Sequence, residues 1–282
     1  MPPLNQKRQK KHSLRKFSRL FFQIFFSLLF AVVFAIFGQT IYDFNRYSAF
    51  YVNGESMYPT LNRNAEVYEK GNKLTTKTYL LGNFSSPNHK YLCDYGLMDE
   101  KEGFLSSVER FSIVVTYFDQ DMEKRGDMYL PKSGSELKIK RVLALPGEEI
   151  YFDNEGELYI KGKRDSTFQF IEQPFFNIDS WNEESKDFLS VVKKETNMAS
   201  SYAYDDKHPY RLNDDEYFLV GDNRLEGCSN DSRAVGPISS YSIVGRVVTI
   251  IGKCWYEIGQ NGKSKETIDF KSLIMPWRLE LL

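Results

Sequence analysis

Ser56 stands in the stretch 53-NGESMYPTL-61, between a glycine turn and a methionine, where a small hydroxyl could cap a helix or attack a carbonyl. A serine attacks only when a base takes its proton, so the available bases decide between the two readings. The three histidines are His12, His89 and His208, and the last two lie in polar stretches where a surface imidazole is the simpler reading. No Cys-x-x-Cys or His-x-x-x-His spacing occurs, nor a phosphate-binding glycine loop, so neither a metal nor another cofactor is expected. Lysine remains, and Ser-Lys pairs are among the convergent variants of the serine triad. At a pKa near 10.4 only about one lysine in two thousand is neutral at pH 7, so burial must lower it by about 2 to 3 units, or roughly 3 to 4 kcal/mol.

The base should therefore lie on an apolar strand, and 137-LKIKRVLALPGE-148 offers two candidates. Alternation puts Lys138 and Lys140 on one face and Ile139 and Arg141 on the other, so periodicity does not separate them. Lys138 lies nearer the polar 132-KSGSE-136, whereas Lys140 is followed on its own face by Val142 and Ala144, which favours Lys140. The bland alternative makes both of them solvated edge charges. A third stretch, 221-GDNRLEGCSNDSR-233, follows the apolar EYFLV and taken alone is a turn between strands.

The elements that would position these groups are mostly strands. Runs of β type recur at 110-RFSIVVTYF-118, 137-LKIKRVLAL-145, 149-EIYF-152, 157-ELYI-160, 216-EYFLV-220 and 243-IVGRVVTII-251, with 153-DNEG-156 as a hairpin turn. The expected fold is mainly β, with a small inserted cap region. Residues 70–108 and 164–213 lack the pattern and read as insertions decorating the β core.

Ahead of this part, 20-LFFQIFFSLLFAVVFAIFG-38 is uncharged, and only Gln23 and Ser27 interrupt its apolar side chains, a length that suits a bilayer-spanning helix. GQTIYDF after Phe37 offers no good small-x-small cleavage site, so the segment reads as a retained anchor over 20–41 rather than a cleaved signal. Residues 1–19 carry seven lysines and arginines and no acid, which places this tail in the cytoplasm and residues 42–282 outside it. With a net charge of −1 overall, removing those seven cations leaves −8 on the remainder, which argues against a nucleic-acid partner. The three cysteines, Cys93, Cys228 and Cys254, allow at most one disulfide, which the sequence does not place. The C-terminal SLIMPWRLELL is too short to span and is broken by Pro276 and Arg278, so it reads as a docking or interfacial tail.

Taken together and in order, Gly54-Glu55-Ser56-Met57-Tyr58-Pro59-Thr60, Lys140-Arg141-Val142 through Leu145-Pro146-Gly147, and Gly221–Arg224 with Ser229–Arg233 resemble the motifs of the type I signal peptidases, membrane-bound Ser-Lys endopeptidases of the bacterial secretory route. The resemblance covers the anchor and the β core and leaves both insertions unmatched. It implies Ser56 as nucleophile and Lys140, beside Arg141, as general base. It implies that Ser229 orients the lysine, that Asp231 and Arg233 form a structural ion pair, and that Asp222 braces the loop. Gly54 stands where some members carry a hydroxyl that completes the oxyanion hole, so a backbone donor is expected here, as in the Gram-positive members.

Four departures accompany the match: Ala144 for a glycine, Glu148 for an aspartate, Phe111-Ser112 where Gly-Asp is usual, and two extra residues between Arg224 and Ser229. The implied function is removal of signal peptides from secretory preproteins at the plasma membrane, with membrane lipid and the secretion translocon as further partners. The alternative is a catalytically idle or specialised relative acting as an assembly or chaperone factor, which would be expected to have lost Ser56 or Lys140.

Overall fold

The computed structural model describes residues 4–74, 89–153, 157–173, 206–224, 228–258, 264–269 and 272–273. The chain divides into two units, Met1–Tyr47 and Ser48–Leu282. The first is a single helix, α1 (Leu4–Arg46). Its stretch Leu20–Tyr42 has 23 residues, a mean hydropathy of 2.6 and no buried residue. At 1.5 Å per residue such a stretch reaches about 35 Å, enough to cross a hydrocarbon core of about 30 Å. Large apolar side chains such as Leu28, Phe30 and Phe34 stand exposed along it, as suits a helix whose surroundings are lipid.

The second unit is mainly β. In chain order its strands are β1 (Tyr47–Tyr51), β2 (Glu66–Glu69), β3 (Asn72–Lys73), β4 (His89–Asp99), β5 (Ile113–Thr116), β6 (Met122–Arg125), β7 (Met128–Pro131) and β8 (Lys138–Ala144). There follow β9 (Glu149–Phe152), β10 (Leu158–Lys161), β11 (Gln169–Phe170), β12 (Tyr210–Arg211), β13 (Glu216–Val220), β14 (Ile238–Ser239), β15 (Ile243–Ile258) and β16 (Ser264–Asp269). The main sheet runs β14-β13-β8-β5-β15-β4-β2-β3, with β1 beside β4 and β16 beside β15. A smaller sheet runs β11-β10-β9-β12, and β6 and β7 form a separate hairpin.

Each of the six β-type runs contains a strand, but two of them end elsewhere than the pattern suggests. The run 110–118 shrinks to β5 because Phe111 takes a left-handed φ of 70°, which turns the chain before the strand begins. β15 continues through Gly252 to Ile258, beyond the apolar run, because β4 and β16 supply partners on both sides. Residues 70–108 are not a mere decoration, since they hold β4, which lies between β15 and β2 in the main sheet. Cys93, Asp94 and Gly96 inside that strand dilute its apolar alternation, yet Tyr91, Cys93, Asp94 and Met98 are all buried. Most of the 164–213 stretch, the tip of the 153–156 turn and residues 274–282 lie outside the described residues.

The apolar content of β8 and β13 is explained by burial on both faces. Leu143 and Ala144 of β8 pack with Phe218 and Val220 of β13 against the smaller sheet, through Ile150, Phe152, Leu158 and Ile160. On the other face Val142, Tyr217 and Leu219 meet Val114, Phe118 and Ile238. A third cluster anchors the segment after β1: Val52, Met57 and Leu61 are buried against Met98, Ile113, Val115 and Val247. The serine between these anchors is held on a tethered loop, not on a free one.

Asn62 completes the tether. Only 1% exposed and with φ 64°, it sends its Nδ2 to the carbonyl oxygens of Val52 (2.8 Å) and Gly54 (3.1 Å). Its backbone N–H donates to Asp94 Oδ2 (2.5 Å), and its Oδ1 accepts from the Asp94 N–H (2.7 Å). Asp94 in turn pairs with Lys253 at 2.5 Å, so β4 and β15 hold the loop through one asparagine. Asn62→Ala would strand several of these buried groups and is expected to cost about 2 to 4 kcal/mol. Urea unfolding in detergent measures this, and an unchanged midpoint would remove Asn62 from the role of hub.

Candidate active site

Lys140 and Ser56 come from different parts of the chain and meet. β8 lies between β5 and β13, with Lys140 opposite the fully buried Val114, and its side chain emerges in an apolar wall. Lys140 Nζ lies 3.0 Å from Ser56 Oγ, a hydrogen-bonding distance, and Lys140 is 3% exposed. Lys138, its neighbour on the same face, instead pairs at 2.8 Å with the exposed Glu136.

Burial dominates the electrostatics of Lys140, disfavouring the ammonium form and pulling its pKa down to about 8. Asp231 opposes this, Lys138 and Arg233 reinforce it, and Glu55 opposes it more weakly. At pH 7 a group with that pKa is neutral in about one molecule in ten, against about one in two thousand for an ordinary lysine.

The polar loop after β13 braces the serine from behind. Asn223 donates its backbone N–H to the Ser56 carbonyl (3.0 Å) and its Nδ2 to the Glu55 carbonyl (3.2 Å). Between them Gly221 leaves no room for a side chain: a Cβ there would overlap Ser229 Oγ and the Ser56 carbonyl oxygen. Among the described residues nothing accepts a hydrogen bond from the Ser56 N–H. Gly54 has φ 122°, a conformation open to glycine and strained for other residues, and the space beside it is empty.

Asp222 and Arg141 form a buried two-point pair, with Nε to Oδ1 at 2.8 Å and Nη2 to Oδ2 at 2.6 Å. Arg141 also donates to the Phe111 carbonyl at 2.8 Å, so the left-handed Phe111 is fastened to the strand that carries Lys140. The glycine usual at position 111 in the resemblance would take this φ without strain, and phenylalanine takes it here. Glu148 keeps a full set of partners despite being one methylene longer than the usual aspartate: Arg110 at 2.7 Å and the Leu145 N–H at 2.8 Å.

Asp231 collects its neighbours into one cluster. Its carboxylate accepts from Arg233 Nε (2.9 Å) and Nη2 (2.8 Å), the Gly221 N–H (2.9 Å) and Ser229 Oγ (2.6 Å). Burial pushes this carboxyl up, but Arg233, Ser229 and Gly221 outweigh it and hold it below the usual carboxylate range. Ser229 therefore spends its proton on Asp231, and among the described residues it makes no hydrogen bond to Lys140. Asn62, Asn223 and Gly221 were not singled out in the sequence. The latter two sit inside the GDNR block, whereas the key partner of Asn62, Asp94, is 32 residues away and leaves no local signal.

Ser56 and Lys140 open onto a cleft of about 570 Å³, walled by β1 on one side and by residues 135–139 on the other, with Met98 and Val115 among its apolar lining. Strand backbone lines both walls, β1 on one side and Lys138 and Ile139 of β8 on the other, an arrangement that can receive a peptide as an added strand. Among the described residues no group of three or more metal-ligating side chains occurs.

The family described as "Signal peptidase, peptidase S26" matches residues 21–252 of the chain. Signal peptidase I of Bacillus amyloliquefaciens is 31% identical over 110 residues, covering 39% of this chain and 48% of that protein. Signal peptidase IB of Staphylococcus aureus strain COL is 26% identical over 144 residues, covering 51% of this chain and 68% of that protein. The match thus spans about half the length of the Bacillus relatives. A crystal structure of a signal peptidase I from Enterococcus faecalis aligns over 49% of this chain and 95% of that one, at 18% identity and a TM-score of 0.28, too loose a superposition to support structural inference.

Two variants probe the geometry. The folded pKa of Lys140 lies below its unfolded value, so between about pH 8 and 10.5 the unfolded chain binds the extra proton and stability rises with pH. Lys140→Met should abolish that rise and be more stable than wild type by about 3 kcal/mol at pH 7. Urea titrations of both proteins across pH measure the difference, and parallel pH profiles would mean that the amine is not held dry. Gly221→Ala should shift the Ser56 carbonyl and slow acylation of Ser56 by an electrophilic serine probe by about 10- to 100-fold. An unchanged labelling rate would count against the close contact.

Proposed function

We propose that this chain, which belongs to the signal peptidase S26 family, is a membrane-anchored serine endopeptidase that removes signal peptides from secretory preproteins through Ser56 and Lys140. The observation that carries the reading is the 3.0 Å approach of a buried, largely dehydrated amine to a serine hydroxyl on the floor of a peptide-sized cleft.

Neutral Lys140 takes the proton from Ser56 as Oγ attacks the carbonyl carbon of the peptide bond. The Ser56 N–H, which has no internal acceptor among the described residues, stabilises the oxyanion, helped by a further backbone donor in place of the side chain that Gly54 lacks. The protonated lysine hands its proton to the leaving amine, and an acyl-enzyme remains. Lys140, neutral again, then activates water to release the acid product. Asp222 with Arg141, and Asp231 with Arg233, act structurally: they fix β8 and the loop that supports the Ser56 carbonyl. Ser229 acts through Asp231 and the Gly221 contact rather than by a direct bond to the lysine.

The proposed topology puts residues 1–19 in the cytoplasm, 20–41 in the plasma membrane and 42–282 outside, because the cationic flank is retained on the cytoplasmic side. Preproteins delivered by the secretion translocon, with membrane lipid as the second contact, are the substrates and surroundings this placement implies.

A preprotein cleavage assay in detergent tests the assignment with Ser56→Ala, Lys140→Ala and Lys138→Ala. The first two are expected to reduce processing by about a thousandfold or more, and the third to leave it intact. Normal processing by Lys140→Ala would overturn the choice of base. Failure of wild type on every preprotein offered would favour the idle, chaperone-like alternative.

A further inference from the structure

Cys93 and Cys254 are far apart in sequence, yet the main sheet sets them directly opposite each other on β4 and β15. The pairing here is regular from Gly252↔Tyr95 to Glu257↔Lys90, beyond two irregularities at Val247/Thr249 and Ile250/Gly252 that fix the register. Residues opposed in an antiparallel pair project to the same side, and their Cα atoms are about 4.5 to 5.5 Å apart, inside the range that a disulfide bridges. The Cys93 thiol already reaches across the pair, donating to the Cys254 carbonyl at 3.3 Å. Both cysteines are buried, next to Tyr91 and Tyr256, which oppose each other one step along on the same face. Cys228 is placed differently, half-buried on the loop near Glu55.

We propose that Cys93 and Cys254 are a disulfide site, closed by a disulfide-bearing thiol oxidant outside the cytoplasm, and that the bridge braces the strand pair behind the serine loop. One thiolate attacks a sulfur of the oxidant to give a mixed disulfide. That first attack breaks the oxidant's S–S bond and releases its other sulfur as a thiol; the second cysteine then attacks the captured cysteine sulfur and expels the oxidant sulfur bound to it as the second thiol. One S–S bond forms in the chain and one breaks in the oxidant. The two protons from the cysteines and the electron pair end on the oxidant, now a dithiol. The step belongs to folding, while the strands are still open, because in the finished sheet both thiols are buried between paired strands and burial raises both above their ordinary range.

The location gives the bridge its effect. Asp94 and Lys253, adjacent to the two cysteines and themselves paired in register, form the ion pair that holds Asn62 and through it the Val52 and Gly54 carbonyls. A covalent link one residue away keeps this pair together when the sheet edges loosen. The loop it closes spans most of the domain, the case in which a cross-link most restricts the unfolded chain.

Full-length protein in detergent is reduced, opened in about 2 M urea, re-oxidised with glutathione disulfide and returned to buffer. It is then unfolded, alkylated with N-ethylmaleimide and mapped by peptide mass. The expected result is a Cys93–Cys254 linked peptide with Cys228 alkylated, and a Tm higher than that of the reduced protein by about 5–10 °C. The same shift should appear in Cys228→Ser and vanish in Cys93→Ser and Cys254→Ser. Maleimide on both Cys93 and Cys254 after oxidation, a bridge to Cys228, or a bridge without a Tm shift would each overturn the proposal.

Discussion

Keeping one ammonium group out of water is the constraint on which this structure turns. A lysine is a poor base because it holds its proton, and only the loss of hydration makes it release that proton near neutral pH. The fold creates the dry position by placing Lys140 on β8, opposite the fully buried Val114 and followed on its own face by the fully buried Val142. The burial that lowers the Lys140 pKa also makes the folded state less stable than an apolar residue there would. The sheet around it must therefore be sound enough to carry a destabilised centre, and the two-sided burial of β8 and β13 provides that.

The charges near the site are arranged to leave this effect intact. Asp231 is close enough to raise the Lys140 pKa, but its oxygens are taken up by Arg233, Ser229 and the Gly221 N–H. Asp222 is likewise held by Arg141. The buried carboxylate that acts most on the amine, Asp231, thus has its charge satisfied by a guanidinium group rather than by the lysine, and Asp222 on the same loop is satisfied in the same way. Ser229 fits the same scheme, giving its hydrogen to the acid and standing against Gly221, which backs the Ser56 carbonyl.

Much of this was legible in the sequence, and the limits of legibility have physical causes. The membrane-length helix and the strands β5, β8, β9, β10, β13 and β15 followed from hydrophobic runs and turn residues, because each is decided by neighbours in the chain. The preference for Lys140 over Lys138 also followed from local polarity, and the structure shows the two lysines in the environments that polarity suggests: one buried, the other paired with an exposed glutamate. What stayed hidden depends on contacts distant in sequence. β4 was missed because its cysteine, aspartate and glycine break the pattern, and their reasons for being there lie on β15 and on Asn62. The direct serine–lysine link expected of Ser229 came from the resemblance, and the hydroxyl's nearest strong acceptor turns out to be Asp231.

The loop after β13 is fastened at its two ends. Gly221 and Asn223 grip the backbone of Ser56, and Ser229 through Arg233 close around one carboxylate. The additional length relative to the family pattern falls between these clamps, at a point where neither depends on the number of residues. A chain built this way can drift in length at the middle of the segment across descendants while every atom that matters to the chemistry keeps its address.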